Sequence, residues 1–145
     1  MTSAIRTPDI DEAAAVVARH PQVRAVLVER QRAYGSDAGL VMEGRDIGTV
    51  VFPRAEVKLY LDASPEERAR RRAEDPAHTL GRQPAGRDGV AQALEARDRS
   101  DRTRTVSPLV IAPDAVYIDT TNMPIDDVVE RALALVDKAA KDSAT

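Results

Sequence analysis

The sequence predicts an α/β domain in which a parallel sheet is flanked by helices. Short apolar strands alternate along the chain with helical segments, and this alternation is typical of parallel sheets. The strand candidates are LVM at 40–42, EVKLYLDA at 56–63 and AVYIDTT at 115–121. Ligands bind such sheets beyond the carboxyl ends of the strands. We therefore expect functional residues after Met42, after Leu61 and after Asp119.

Helix-start signals place the helices between these strands. Pro21 falls in the first turn of one helix and ends the helix before it. Ser64 is expected to cap another, with Pro65 at its first position. The predicted helices cover residues 9–20, 21–34, 64–75, 90–104 and 124–141.

Two segments are predicted to be loops. GRDIGTVVFPRA at 44–55 is punctuated by glycine, and DPAHTLGRQPAGRDG at 75–89 is rich in proline and glycine. A loop of about 15 residues in a compact domain is typical of a mobile functional segment or a disordered one.

Composition restricts the function classes. The 145 residues fit one domain, and a net charge of −3 is too small to favour nucleic acid or membrane as a bulk electrostatic partner. The absence of cysteine excludes disulfides and thiolate chemistry. No stretch has signal-peptide character, and no apolar run reaches about 18 residues, so we expect a cytoplasmic protein without a membrane span.

The helix segment EARDRSDRTR mixes charges of both signs. Arg97, Asp101 and Arg104 share one helix face, because they are spaced i, i+4 and i+7. Two guanidinium groups there would hold phosphate oxygens while the carboxylate accepts from sugar hydroxyls. Asp98 and Arg102 are spaced to pair on a neighbouring face. The alternative is a solvated face crossed by salt bridges.

The segment EGRDIGTVVFP follows the first predicted strand. Gly44 and Gly48 permit a sharp turn or close approach to a ligand. Arg45 and Asp46 would lie beyond the strand end, and Glu43 could hold a hydrated Mg²⁺. The alternative is a plain connection with a local pair between Arg45 and Asp46.

A third cationic segment, RARRR at 68–72, precedes the long loop and could close over phosphates as a lid. The alternative is again a solvated basic face. No Gly-x-x-x-x-Gly-Lys-Ser/Thr motif occurs. His20 and His78 are isolated, and we interpret both as structural or surface residues.

Together these segments resemble the bacterial cytidylate kinases, which are nucleoside monophosphate kinases. GRDIGTVVFP, KLYLDAS-EERA-RR and RD--DRTR occur in the family's order, and the resemblance covers nearly the whole chain. It implies a cytidylate kinase-like domain over 1–145, truncated at its N-terminus, with a CMP-binding helical region at 5–34 and a lid-like segment at 68–90. The family's N-terminal strand and phosphate-binding loop have no counterpart here, so the fold should resemble an incomplete P-loop kinase core.

That missing strand is central in the family's five-stranded parallel sheet. The strands at 40–42 and 57–61 should therefore each lack a neighbour, which leaves backbone groups unpaired.

The resemblance also implies roles for individual residues. Arg24 and Asp46 match residues that contact cytosine, and Arg45 matches an arginine of the acceptor site. The family's serine at the position of Ala15 is absent, which would weaken recognition of the base. The match assigns ribose and CMP-phosphate contacts to Arg97, Asp101 and Arg104, and contacts with the ATP phosphates to the lid residues Arg71 and Arg72. Arg45 and Arg104 would be the catalytic pair.

The expected reaction is transfer of a phosphoryl group from ATP to CMP or dCMP with Mg²⁺, although the chain alone should be inactive without a phosphate loop. One alternative is a non-catalytic CMP-binding module, or a C-terminal subunit completed by a separate N-terminal polypeptide. Another is a fragment created by a frameshift or a wrong start site. A nucleic-acid partner is disfavoured, because the arginines alternate with acids and aromatic residues are scarce.

Overall fold

The structure is a computed structural model that describes residues 8–35, 39–75, 87–103 and 108–143. Its elements, in chain order, are α1 (Pro8–Val17), α2 (Pro21–Ala33), a π-helical turn (Ile47–Val51), β1 (Leu59–Asp62), α3 (Pro65–Glu74), α4 (Arg87–Thr103), β2 (Val116–Asp119) and α5 (Ile125–Ser143). The expected α/β class is confirmed, since the sheet is parallel and helices flank it. In these four ranges, no helix combines the length and apolar character needed to cross a membrane.

The sheet consists of β1 and β2. They pair in parallel from Leu59 opposite Val116 to Asp62 opposite Asp119, so both strands end at the same level. A parallel pair needs a long crossover, and α3 and α4 lie in the connection between these two strands. Ile118 of β2 is fully buried and forms the centre of the small apolar core.

The strand predicted at 40–42 is wrong. These residues have no regular secondary structure, and Val41 is 99% exposed. A strand forms only when a neighbour satisfies its backbone N–H and C=O groups. No described strand lies beside 40–42, because β1 and β2 pair only with each other.

The predicted helix starts are confirmed at both proline positions. α1 ends at Val17, and α2 begins at Pro21. At the start of α3, the Ser64 hydroxyl accepts a hydrogen bond from the Glu67 backbone N–H at 3.2 Å. Such a side chain satisfies one of the N–H groups that the first turn of a helix leaves unpaired.

The long predicted loop at 75–89 is partly wrong, because α4 begins at Arg87 rather than at residue 90. Residues 76–86 of that segment lie outside the described residues.

The glycine-punctuated segment is also more regular than predicted, because it contains the π-helical turn. Arg32 of α2 fixes this turn: its Nε donates to the Val51 carbonyl at 2.9 Å and its NH2 to the Val50 carbonyl at 2.7 Å. The turn is thereby held against α2. A Cβ at Gly44 would lie 2.8 Å from Cγ1 of Ile47, so a larger residue there would force the Ile47 side chain to shift.

A buried carboxylate ties α3 to the end of β2. Glu67 is only 5% exposed, and it pairs with Arg70 and Arg71 at 2.7 Å each. The Arg71 guanidinium also donates to the Thr120 carbonyl at 2.5 Å and to its hydroxyl at 3.0 Å. Hydrogen bonding from Arg70 is the main reason that the pKa of Glu67 falls to about 2, with further help from Arg71 against the opposing effect of burial.

Replacing the cap of α3 should destabilise the fold. We expect Ser64→Ala to cost about 1 kcal/mol, which lowers the melting temperature by about 2–4 °C in a chain of this size. Thermal unfolding followed by circular dichroism measures this shift. Ser143→Ala at the end of α5, where the hydroxyl donates to the Ala139 carbonyl, is the control and should change little. Equal shifts for the two variants would contradict the capping role.

The Glu67 carboxylate should make stability depend on acid pH. Its pKa is about 2 in the folded chain against an ordinary 4.5, so the unfolded chain takes up the proton first as the pH falls. The stabilisation is therefore complete above about pH 4.5 and is lost as the pH falls toward about 2. Urea unfolding of the wild type and Glu67→Gln measures it, and the difference in their free energies of unfolding should shrink across this range.

Glu95→Gln on the exposed face of α4 is the matched control for that titration. Its partner Arg99 lies 3.3 Å away, and both side chains are more than 70% exposed, so solvent screens the pair. A difference between wild type and Glu67→Gln that stays constant from neutral pH to about pH 2 would refute the assignment to this carboxylate.

Candidate functional site

Four charged side chains meet where the loop before the π-helical turn, α3 and α4 come together. Asp98 of α4 accepts hydrogen bonds from Arg45 of the loop and from Arg68 of α3. The Nε of Arg45 also donates to Asp101 at 2.8 Å. We call Arg45, Arg68, Asp98 and Asp101 the arginine–aspartate cluster.

Helical spacing explains why both aspartates reach the same guanidinium. Asp98 and Asp101 are three residues apart on α4 and therefore share a face. α3 packs against α4, which brings Arg68 to the same place. A charged group can be buried when it is paired and hydrogen-bonded, and each oxygen of Asp98 has its own arginine partner.

Asp98 and Arg45 are both expected to be charged at neutral pH. Burial by itself would raise the pKa of Asp98, but hydrogen bonds and charges from Arg45 and Arg68 outweigh it and lower the pKa. Burial likewise opposes the charge of Arg45, whereas Asp98 and Asp101 raise its pKa above the usual value. The Arg45 side chain remains 37% exposed, so part of it is accessible to solvent.

The predicted pair between Asp98 and Arg102 is wrong. Asp98 is only 7% exposed and faces α3, whereas Arg102 lies on the exposed side of α4. The packing of α4 against α3 determines this choice of face. Among the described residues of α4, the alternative of a solvated, salt-bridged surface fits the exposed pair between Glu95 and Arg99.

The other residues predicted on α4 are placed differently from one another. Asp101 joins Arg45, as described above. Arg97 is exposed and makes no ion pair with any residue that the structure describes. Arg104 lies outside the described residues.

Arg24 and Asp46 form a second pair beside this cluster. Their side chains are in direct ionic contact and are only 13% and 10% exposed. The local pair between Arg45 and Asp46, considered as an alternative, is not formed, because these neighbours bind different partners. Next to the pair lies a cavity of about 410 Å³ lined by Pro21, Arg24, Ala25, Val28, Glu29, Arg32 and Val50.

A larger cavity of about 650 Å³ lies beyond the carboxyl ends of β1 and β2. This is the position where ligands usually bind parallel α/β sheets. Its walls are Leu61 and Asp62 of β1, the basic face of α3 and the start of α5. Arg71 lines this cavity while bonded to Glu67 and Thr120. Arg72 is half-buried near the end of α3. The lid-like segment at 68–90 is helical through Glu74, and its middle lies outside the described residues.

Glu43 is exposed in the loop before Arg45. In the part of the chain that the structure describes, no group of three acidic, histidine or cysteine side chains could hold a metal ion. A role of Glu43 as a single carboxylate ligand of a hydrated Mg²⁺ stays a prediction.

Sequence reasoning missed three residues that organise the site: Glu67, Arg68 and Asp98. A weak signal existed for Asp98, because it lies three residues before the predicted ligand Asp101. Arg68 belonged to a predicted basic segment, but only the packing of α3 on α4 shows which of its arginines faces inward.

Comparison with known proteins identifies the family. The model of the cytidylate kinase family matches residues 1–138. The cytidylate kinase of Anoxybacillus flavithermus is 47% identical over 136 residues, which cover 94% of this chain and 60% of that protein. The cytidylate kinase of Pelotomaculum thermopropionicum is 49% identical over 136 residues, covering 94% and 59%. That of Listeria monocytogenes is 44% identical over 138 residues, covering 94% and 60%.

The chain thus spans about 60% of the length of the curated relatives that it matches. The family model nonetheless covers nearly all of its residues, and close to half of the aligned residues are identical to those of these relatives. The chain belongs to the cytidylate kinase family.

Proposed function

We propose that this chain binds CMP or dCMP as phosphoryl acceptor in a cytidylate kinase reaction, ATP + (d)CMP → ADP + (d)CDP. One observation carries the proposal. Arg45 and Asp46 are adjacent in sequence, and they join the arginine–aspartate cluster to the ion pair that Asp46 forms with Arg24. A nucleoside monophosphate has the same two parts, because its phosphate is an anion and its base carries donors and acceptors.

The pair of Arg24 and Asp46 suits cytosine. The exocyclic amine of cytosine is a donor that a carboxylate accepts, while its ring nitrogen and carbonyl oxygen accept from a guanidinium. Uracil carries a carbonyl where cytosine has the amine, so Asp46 would face an acceptor and reject that base. The 410 Å³ cavity lined by Arg24 provides adjoining space.

The phosphate and ribose of CMP would bind at the cluster. The accessible side of Arg45, with Arg97 and Arg104, would hold phosphate oxygens. Asp101 would accept from ribose hydroxyls. Since Asp101 also holds Arg45 in this structure, the nucleotide would share or replace that contact.

The donor side would use Arg71 and Arg72 on the ATP phosphates. Phosphoryl transfer depends on positioning and charge neutralisation: the CMP phosphate oxygen attacks the γ-phosphorus, and the bond to ADP breaks. Mg²⁺ would arrive with ATP and be held mainly by its phosphates, with Glu43 as a single carboxylate in the loop before Arg45.

A second candidate is a CMP-binding subunit that acts with a separate polypeptide carrying the phosphate loop. The 145 residues contain the acceptor residues but no Gly-x-x-x-x-Gly-Lys-Ser/Thr sequence to cradle the ATP phosphates. On either proposal, we expect these 145 residues alone to bind CMP and to form no CDP.

Binding of CMP should stabilise the chain. At about 100 times its dissociation constant, a ligand adds roughly 2.7 kcal/mol to the free energy of unfolding. The melting temperature should therefore rise by roughly 5–10 °C with CMP. A thermal melt with millimolar CMP measures this, and AMP, which presents a different base to Arg24 and Asp46, is the control. A cooperative melt whose midpoint temperature does not change with CMP would refute the proposed function.

Arg24 should determine the affinity for the base and not for the sugar phosphate. A hydrogen bond to a charged group contributes about 1.5–3 kcal/mol, so Arg24→Gln should weaken CMP binding by about tenfold or more. Calorimetric titration with CMP and with ribose 5-phosphate separates the two parts. The affinity for ribose 5-phosphate should stay the same.

Arg30→Gln on the exposed side of α2 is the control and should leave both affinities unchanged. If Arg24→Gln weakened both ligands equally, the assignment of Arg24 to the base would be wrong.

A further inference from the structure

We propose that Asp98 is a positioning residue for the acceptor site: its buried carboxylate holds Arg45 against the phosphate position and couples it to Arg68 of α3. This inference rests on the proposed function, because the group it positions is the arginine that would bind the CMP phosphate. Asp98 itself would not touch the nucleotide.

The two oxygens of Asp98 are already engaged by protein groups. Oδ1 accepts from NH2 of Arg45, and Oδ2 accepts from NH1 of Arg68. The residue is only 7% exposed. A buried carboxylate with both oxygens hydrogen-bonded cannot contact a sugar hydroxyl. Asp98 can therefore affect ligand binding only by positioning its two arginine partners.

Asp98 and Asp101 hold the same guanidinium with different consequences for a ligand. Asp101 contacts Nε of Arg45 at 2.8 Å and, in the proposed complex, also serves the ribose. When the ribose recruits Asp101, Asp98 remains as the anchor of NH2. Arg45 would then keep its orientation while its free side receives the phosphate, which is preorganisation of the binding group.

Through its second partner, Arg68, Asp98 also connects the acceptor site to α3, which carries the arginines proposed to bind the ATP phosphates. Arg68 lies three and four residues before Arg71 and Arg72 on α3, so these side chains have a fixed angular relation about one helix axis. Arg71 is itself held by the buried Glu67. The contact between Asp98 and Arg68 therefore fixes how α3 presents its arginines relative to the acceptor site.

A purely electrostatic role and a positioning role of Asp98 predict opposite changes in CMP affinity for Asp98→Asn. Removing a negative charge beside Arg45 makes the site more positive, and electrostatics alone would tighten CMP binding. Loss of the anchor would release Arg45 and weaken binding. A merely structural role would lower the melting temperature and leave the affinity of the folded chain unchanged.

The test is a double-mutant cycle in CMP affinity, measured by calorimetric titration at a temperature where circular dichroism shows each variant folded. We expect Asp98→Asn and Arg45→Met each to weaken the affinity for CMP by about tenfold. An effect of this size is within the range of interaction energies measured between residues in contact. Adding Asp98→Asn to Arg45→Met should cause no further loss, because Asp98 acts through Arg45. Asp98→Glu should recover part of the affinity.

Glu95→Gln is the matched control, since it removes the same charge from the exposed side of the same helix and should leave the affinity unchanged. If Asp98→Asn does not fold, Asp98→Glu combined with Arg45→Lys gives a cycle that keeps every charge and should show the same non-additivity.

Three results would overturn the inference. Asp98→Asn could bind CMP as tightly as the wild type or more tightly, or the losses in the double variant could simply add. Alternatively, a wild type that melts cooperatively and does not bind CMP would refute the proposed function and the inference with it. The first two results, by contrast, leave the proposed function intact.

Discussion

The burial of the Asp98 carboxylate between two guanidinium groups is the constraint on which the rest of the site depends. A carboxylate that is 7% exposed stays charged only if nearby cations compensate for its lost hydration. Here the cations come from two distant segments, the loop at Arg45 and the helix at Arg68. The loop, α3 and α4 can satisfy this carboxylate only in a narrow set of arrangements, and that set also places Asp101 beside Arg45.

Polar contacts carry much of this positioning because the apolar core of the described residues is small. Ile118 and Val51 are its largest fully buried side chains, while α2 and α5 contain no buried residue. Arg32 fixes the π-helical turn and Glu67 fixes Arg71, so each proposed binding region has its own anchoring ion pair or hydrogen bond. The candidate site is thus built from neighbouring charged groups that orient one another before any ligand binds.

Local features of the fold were predictable from sequence, whereas partner choice was not. Ser64 and Pro21 mark helix starts because capping and proline geometry act within one turn. The strand predicted at 40–42 is not formed, because a strand needs a neighbouring strand to pair with, and no local sequence pattern shows whether one is present. The predicted pair between Asp98 and Arg102 is wrong for a similar reason: spacing gives the residues that share a helix face, but only the packing of α4 on α3 shows which face is buried. The contact between Arg24 and Asp46 also depends on tertiary structure, although the resemblance had given both residues to one ligand.

We propose that Asp98 holds Arg45 in an orientation ready to bind a nucleotide phosphate. A crystal structure of the chain bound to CMP would show both contacts of Arg45 at once. We expect the CMP phosphate on the accessible side of Arg45, the bond between Arg45 and Asp98 retained, and the base against Arg24 and Asp46. CMP bound elsewhere would refute the acceptor site, and Arg45 turned away from Asp98 to reach the phosphate would refute the positioning role of Asp98.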